Sequence, residues 1–279
     1  MKEKIELRIN SEFAHLLFKP NEGRNIGSSI KIVKLDTRDS RIRQIKSIAE
    51  KIEVKYDKAF YFGWKVVRKY SSNELKSTTH FQIKVKSTFE PTGAECGTVY
   101  DETIACKICG SGRQQITPLY LKKGSIPQKD ISKTIAGEII VSEKFVNSYN
   151  QHALEGLEFK TVLINNKESN WFQVTTNKIV ELSDQTLAGI DPFDLSTSNE
   201  GEVYKCPKGH TIGLNILSEV YIKDHKILTQ FDFFASKQEI GVKRGLLRPT
   251  PIYVCSAKFR NMIVENKLTG FDFEIAHIV

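Results

Sequence analysis

Long apolar runs are missing from this chain of 279 residues. No segment approaches the roughly 18 consecutive apolar residues that a membrane span requires. The start, MKEKIELRIN, has none of the apolar character of a secretory signal. The chain is therefore expected to be cytoplasmic and to work away from membranes. Cysteine is scarce and odd in number, five residues scattered widely; this argues against a disulfide framework and suits thiols or metal ligands in a reducing compartment. Catalytic signatures are missing too. Neither HExxH nor HxE with PCxxC occurs, and GSGRQQ (110–115) lacks the Gly-Lys-Ser/Thr of a phosphate-binding loop. Cys96 with His80 or His152 has no spacing that supports a nucleophilic pair. An enzyme is not expected.

What is present suffices for an ordinary globular core, with 40% hydrophobic and 27% charged residues. The length points to two units or an internal duplication. The formal charge of +8 is unevenly spread: residues 1–90 hold 20 Lys/Arg against 11 Asp/Glu, and residues 91–279 hold 21 against 22. A basic N-terminal third suits an acidic partner, protein or nucleic acid, through long-range steering.

Within that third, Ile42, Ile45, Ile48 and Ile52 recur at three- and four-residue spacings and predict a helix over 36–54, with Asp39 or Ser40 at its start. FYFGWKVVRKY (60–70) and THFQIKVKSTFE (79–90), separated by the polar SSNELKS, predict a hairpin. Arg41, Arg43, Lys65, Arg68 and Lys69 are the candidate residues for gripping nucleic acid or a partner, although one packed and one wet sheet face explains the same pattern. No nucleic-acid-binding motif accompanies them.

The rest of the chain is repetitive. IIVSEKFVNSYNQHALEGLEF (139–159) and YVCSAKFRNMIVENKLTGFDF (253–273) align without a gap. Ser142/Ser256, Lys144/Lys258, Phe145/Phe259, Asn147/Asn261, Leu154/Leu268, Gly156/Gly270 and Phe159/Phe273 are identical. Duplication explains this. Each copy predicts a buried strand, a serine N-cap, an amphipathic helix closed by Leu-x-Gly, and a second strand.

Upstream of the first copy stands Cys106-x-x-Cys109-Gly110 and upstream of the second Cys206-Pro-Lys-Gly-His210. Two donors do not close a tetrahedron, but two such turns do. Cys106, Cys109, Cys206 and His210 are therefore the expected ligands of one structural zinc ion, with Cys96 in reserve. Cys255, aligned with Val141 in a buried strand, is not a candidate.

The expected fold is α+β: an N-terminal helix plus hairpin (1–90), then two knuckle–strand–helix–strand halves (91–163 and 164–279) sharing one zinc site. The paired knuckles, each followed by a Ser-x-Lys-Phe … Leu-x-Gly-x-x-Phe segment, resemble the double-CxxCG-motif proteins of bacteria, which are similar in appearance to immunity proteins of polymorphic toxin systems. The resemblance covers roughly residues 95–279, and His210 departs from the family's second CxxC. It implies a non-enzymatic protein that binds and neutralises a toxin. The other expectation is a nucleic-acid-binding protein that uses the basic N-terminal third.

Overall fold

The computed structural model describes residues 1–193 and 204–279, which divide into two compact units. The first comprises Met1–Ser77 with residues 190–193. Strands β1 (Lys2–Asn10), β2 (Arg24–Ile26), β3 (Ile30–Asp36) and β4 (Tyr61–Lys69) form one sheet in the order β2-β3-β1-β4. Helix α1 (Ile42–Tyr56) joins β3 to β4. The alternation in KEKIELRIN decides the layering: Ile5, Leu7 and Ile9 face a core shared with Val33, Leu35, Ile42, Ile45 and Ile52, while Lys4, Glu6 and Arg8 take the opposite face. Each such side chain contributes about 1.5–3 kcal/mol on burial, which fixes the register of β1.

After β4 the chain enters a short helix α2 (Ser72–Ser77). The side chain of Glu74 accepts from the Ser71 N–H at 2.7 Å and the Ser71 hydroxyl accepts from the Glu74 N–H at 3.3 Å. This reciprocal capping box starts a helix where the sequence reading placed a turn.

The second unit, Thr78–Gly189 with residues 204–279, contains two copies of one arrangement. The first copy supplies β5 (His80–Val85), β6 (Thr88–Phe89), β7 (Tyr100–Asp101), β8 (Gln114–Gln115), β9 (Tyr120–Leu121), β10 (Ile131–Thr134), β11 (Ile139–Ser142), α3 (Glu143–Gln151) and β12 (Glu158–Ile164). The second supplies, in the same sequence, β13 (Lys167–Thr175), β14 (Ile179–Val180), β15 (Ala188–Gly189), β16 (Asn215–Ile216), β17 (Val220–Ile222), β18 (Phe233–Ile240), β19 (Thr250–Ser256), α4 (Ala257–Glu265) and β20 (Phe271–Ile278).

Two six-stranded sheets result, β6-β10-β11-β13-β12-β9 and β14-β18-β19-β5-β20-β17. Position by position the orders are equivalent, except that the copies have exchanged their first strands. β13 of the second copy lies between β11 and β12 of the first, and β5 of the first lies between β19 and β20 of the second. The register repeats as well: Val141 pairs with Phe172 and Cys255 with Phe81, while Lys160 pairs with Gln173 and Glu274 with Gln82. The sequences HFQI (80–83) and WFQV (171–174) are thus a second stretch of the duplication.

Several of the repeated residues lie on the seam between the copies. Ser142 caps α3, accepting from the Phe145 N–H and donating to Asp130; Ser256 does the same for α4 with Phe259 and Asp232. Each aspartate then reaches across, Asp130 accepting from the Thr269 N–H at 2.7 Å and Asp232 from the Glu155 N–H at 3.1 Å. Gly270 and Gly156 have positive φ, and a Cβ on either would fall 2.3 Å from the Ile131 oxygen or 2.6 Å from the Phe233 oxygen of the other copy. Only glycine admits such an approach. Phe145 and Phe259 meet at 6.0 Å between ring centres.

These observations correct the expected fold class. Among the described residues the molecule is mostly β, with twenty strands and four α-helices, and not an α+β assembly of helical units. Many strands have only two residues, too short for a period-2 signature. The N-terminal hairpin does not form either: β4 belongs to the sheet of the first unit and β5 to a sheet of the second. Among the described residues no helix is long and apolar enough to cross a membrane.

Candidate metal centre

The first knuckle is a tight turn: the Cys106 N–H donates to the Ser111 oxygen at 2.9 Å and the Gly110 N–H to the Cys106 oxygen at 2.7 Å. In the second, the Cys206 N–H donates to the Thr211 oxygen at 3.0 Å and the Gly209 N–H to the Cys206 oxygen at 2.8 Å. Gly110 and Gly209 both have φ +77°, in the left-handed region. Since Ser111 corresponds to Thr211, Gly209 stands where Cys109 stands and His210 where Gly110 stands. The donor of the second turn has moved one residue along, and the longer imidazole makes up the difference.

The four side chains converge. Their ligand atoms all lie within 4.8 Å of one another and could hold a metal ion. The Cys106 and Cys206 sulfurs are 3.9 Å apart, and His210 Nδ1 is 3.8 Å from the sulfurs of both Cys109 and Cys206. A tetrahedron with metal–sulfur bonds of about 2.3 Å has edges of about 3.8 Å. The 3.9 Å separation is far too long for a disulfide, whose sulfurs sit about 2.05 Å apart.

The electrostatics separate the two thiols of the first knuckle. N–H groups of Cys109 and Ile108 aimed at its sulfur bring the Cys106 thiol down to about 6, whereas burial, followed by the neighbouring Cys206 and Cys106 sulfurs, pushes Cys109 up to about 11. Cys106 and Cys206 are buried, and Cys109 is partly so.

Surrounding residues that the sequence reading missed fix the turns. Thr211 Oγ1 accepts from the Cys206 N–H and donates to the Tyr204 oxygen at 2.8 Å. The Glu239 N–H of β18 donates to the His210 oxygen at 2.8 Å. The connection between β18 and β19 is longer than its counterpart between β10 and β11, and it folds over the first knuckle. Lys243 packs its stem on Gly110, and Lys243 and Arg248 pair with Glu102 at 3.2 and 2.6 Å. A Ser/Thr five residues after the first cysteine of each knuckle was the available signal.

The other candidates lie elsewhere. Cys96 ends a short 3₁₀ turn outside the four-residue group; burial raises its pKa, opposed by a hydrogen bond from the Lys122 backbone. Cys255 is fully buried in β19, as its alignment required. The five basic residues do not form one cluster. Arg68 is sequestered against Glu3 at 2.6 Å, and Arg41 is held by Asp39 and Glu22, both at 2.8 Å. Arg43 is exposed on α1, while Lys65 and Lys69 are exposed on β4. A groove of about 520 Å³ in the second unit is lined by Tyr100, Arg113, Gln115, Glu138, Gln173 and Glu239 among others. Several of its polar groups bind one another: Tyr100 donates to Glu138 at 2.7 Å, and the Gln115 and Gln173 amides pair reciprocally. No protein-family model matches the chain, and no curated protein matches it significantly.

Proposed function

We propose that Cys106, Cys109, Cys206 and His210 hold one structural zinc ion and that the chain is a non-enzymatic binding protein stapled by it. The observation that carries this reading is the donor set: three thiols and one imidazole, two from each copy, at tetrahedral edge distances. Zinc favours such a set, and four protein ligands leave no position for a substrate or an activated water. Bound there, the ion supplies positive charge that keeps the crowded thiols ionised and ties the copies together. The thiol-rich donor set disfavours calcium and magnesium, which take oxygen ligands.

The partner in this reading is a protein, and the resemblance to toxin-immunity proteins makes it a toxin acting in the same cell. Co-expression with a toxin encoded beside this chain tests it. Restored growth and a stable complex of the two purified proteins are expected; unrelieved toxicity at full expression of a zinc-loaded chain overturns the toxin assignment. Zinc content measured on the same preparation tests the staple separately.

A further inference from the structure

We infer that the open face of the four-stranded sheet in the first unit binds single-stranded nucleic acid. This goes beyond the zinc-stapled reading, since it concerns a region outside the resemblance and outside the metal centre.

Residues 1–77 hold 18 Lys/Arg against 10 Asp/Glu, an excess equal to the whole formal charge of +8. The sheet gathers much of that excess on one side. Along β1 the residues facing away from the core are Lys2, Lys4, Glu6 and Arg8. Register adds their neighbours: Lys69 opposite Lys2, Lys34 and Lys65 on either side of Glu6, and Arg24 joined to Arg8 through Ile32. The seven basic residues are all exposed. Two acids share the face, Glu6 bound to Lys34 at 2.8 Å and Asp36 bound to Arg38 at 3.2 Å. Lys2 and Lys69 stand directly opposite each other, an arrangement that costs stability on its own and that an anion would relieve.

Three features choose the occupant. First, the positive excess is extended along strands, which suits a polyanion following a groove or face better than a single phosphate. Second, an irregularity in the β1–β4 register between Arg8 and Ile9 leaves Phe62 on β4 with 55% of its surface exposed, beside Gly63, which pairs with Arg8. An exposed aromatic ring next in the chain to the residue that pairs with Arg8 can serve as a stacking platform for a base. Third, four strands about 4.8 Å apart span about 14 Å before side chains are added, wider than the roughly 12 Å major groove, which admits a helix or a two-stranded ribbon. A sheet of this width does not enter the major groove, whereas a splayed single strand can lie across the face.

Fluorescence anisotropy of the zinc-loaded full chain with a fluorescein-labelled 20-nucleotide RNA of mixed sequence tests the inference. Saturable binding is expected at low salt, with the duplex of the same sequence at least about tenfold weaker. Replacing Lys4, Arg8 and Lys65 together by alanine should reduce the slope of log K against log salt by about 2, at roughly 0.7 per lost phosphate contact. Phe62→Ala should weaken binding about tenfold with the slope unchanged. Lys51→Ala with Lys55→Ala, on α1, should change nothing. The inference is overturned by absence of saturable binding, by equal affinity for the duplex, by indifference to the triple substitution, or by polyglutamate displacing the RNA as well as unlabelled RNA does. Zinc content and melting temperature of each variant, unchanged from the parent, separate a failed face from a failed metal centre.

Discussion

Among single side chains, Cys206 and His210 stand out, because each brings a potential metal donor from the second copy to a pair from the first. Cys206 is 3% exposed. Its replacement by serine should remove the metal and lower the melting temperature by on the order of 10 °C, read by calorimetry with zinc analysis. His210→Cys should lose most of the metal in the same analysis, since the shorter thiol cannot span the one-residue displacement that the imidazole makes up. A second residue-scale effect concerns His80, whose pKa burial lowers, opposed by a hydrogen bond to the Leu228 carbonyl. In the unfolded chain the imidazole takes up a proton near pH 6.5, while the folded chain resists until lower pH, so stability falls as pH drops below about 6.5. His80→Phe should flatten that fall; equal losses in urea melts of both proteins between pH 7.5 and 5.5 would contradict it. The convergence of the four donor side chains was legible because chemistry limits which residues bind metal and duplication says where to look. The partners of Arg41 and Arg68 were not, since ion pairs with Glu22 and Glu3 depend on tertiary placement that no local spacing encodes.

Elements tell a different story of legibility. Among the identical residues, Ser142/Ser256, Phe145/Phe259 and Gly156/Gly270 lie at the seam, so their repetition reflects a shared packing task. Gly270→Ala should destabilise the protein by about 2 kcal/mol or more, because its Cβ would meet the Ile131 backbone and its φ of +97° disfavours other residues. Ser142→Ala should cost about 1 kcal/mol through the lost cap. Chemical denaturation measures both. The exchanged strands went unread because Phe81-Gln82 and Phe172-Gln173 are only two identical residues, and they lie away from the longer match. Hydrophobic pattern specifies that a strand is buried, never which sheet receives it. For the same reason the apparent hairpin of 60–90 dissolved into one strand in each unit, with a capping box at Ser71 and Glu74 marking the break.

On the scale of the whole molecule, strand exchange makes the second unit a single cooperative body, because neither copy completes its own sheet. Cutting the chain at the Asn165–Asn166 turn and co-expressing the two parts should yield a complex that co-purifies, while either part alone should be insoluble; independent folding of both would contradict the exchange. X-ray absorption at the zinc edge of the purified protein tests most directly whether one ion joins the copies. One zinc per chain with three sulfurs at about 2.3 Å and one nitrogen at about 2.0–2.1 Å is the predicted result. A chain that purifies without stoichiometric metal, or a zinc shell dominated by oxygen, would contradict it.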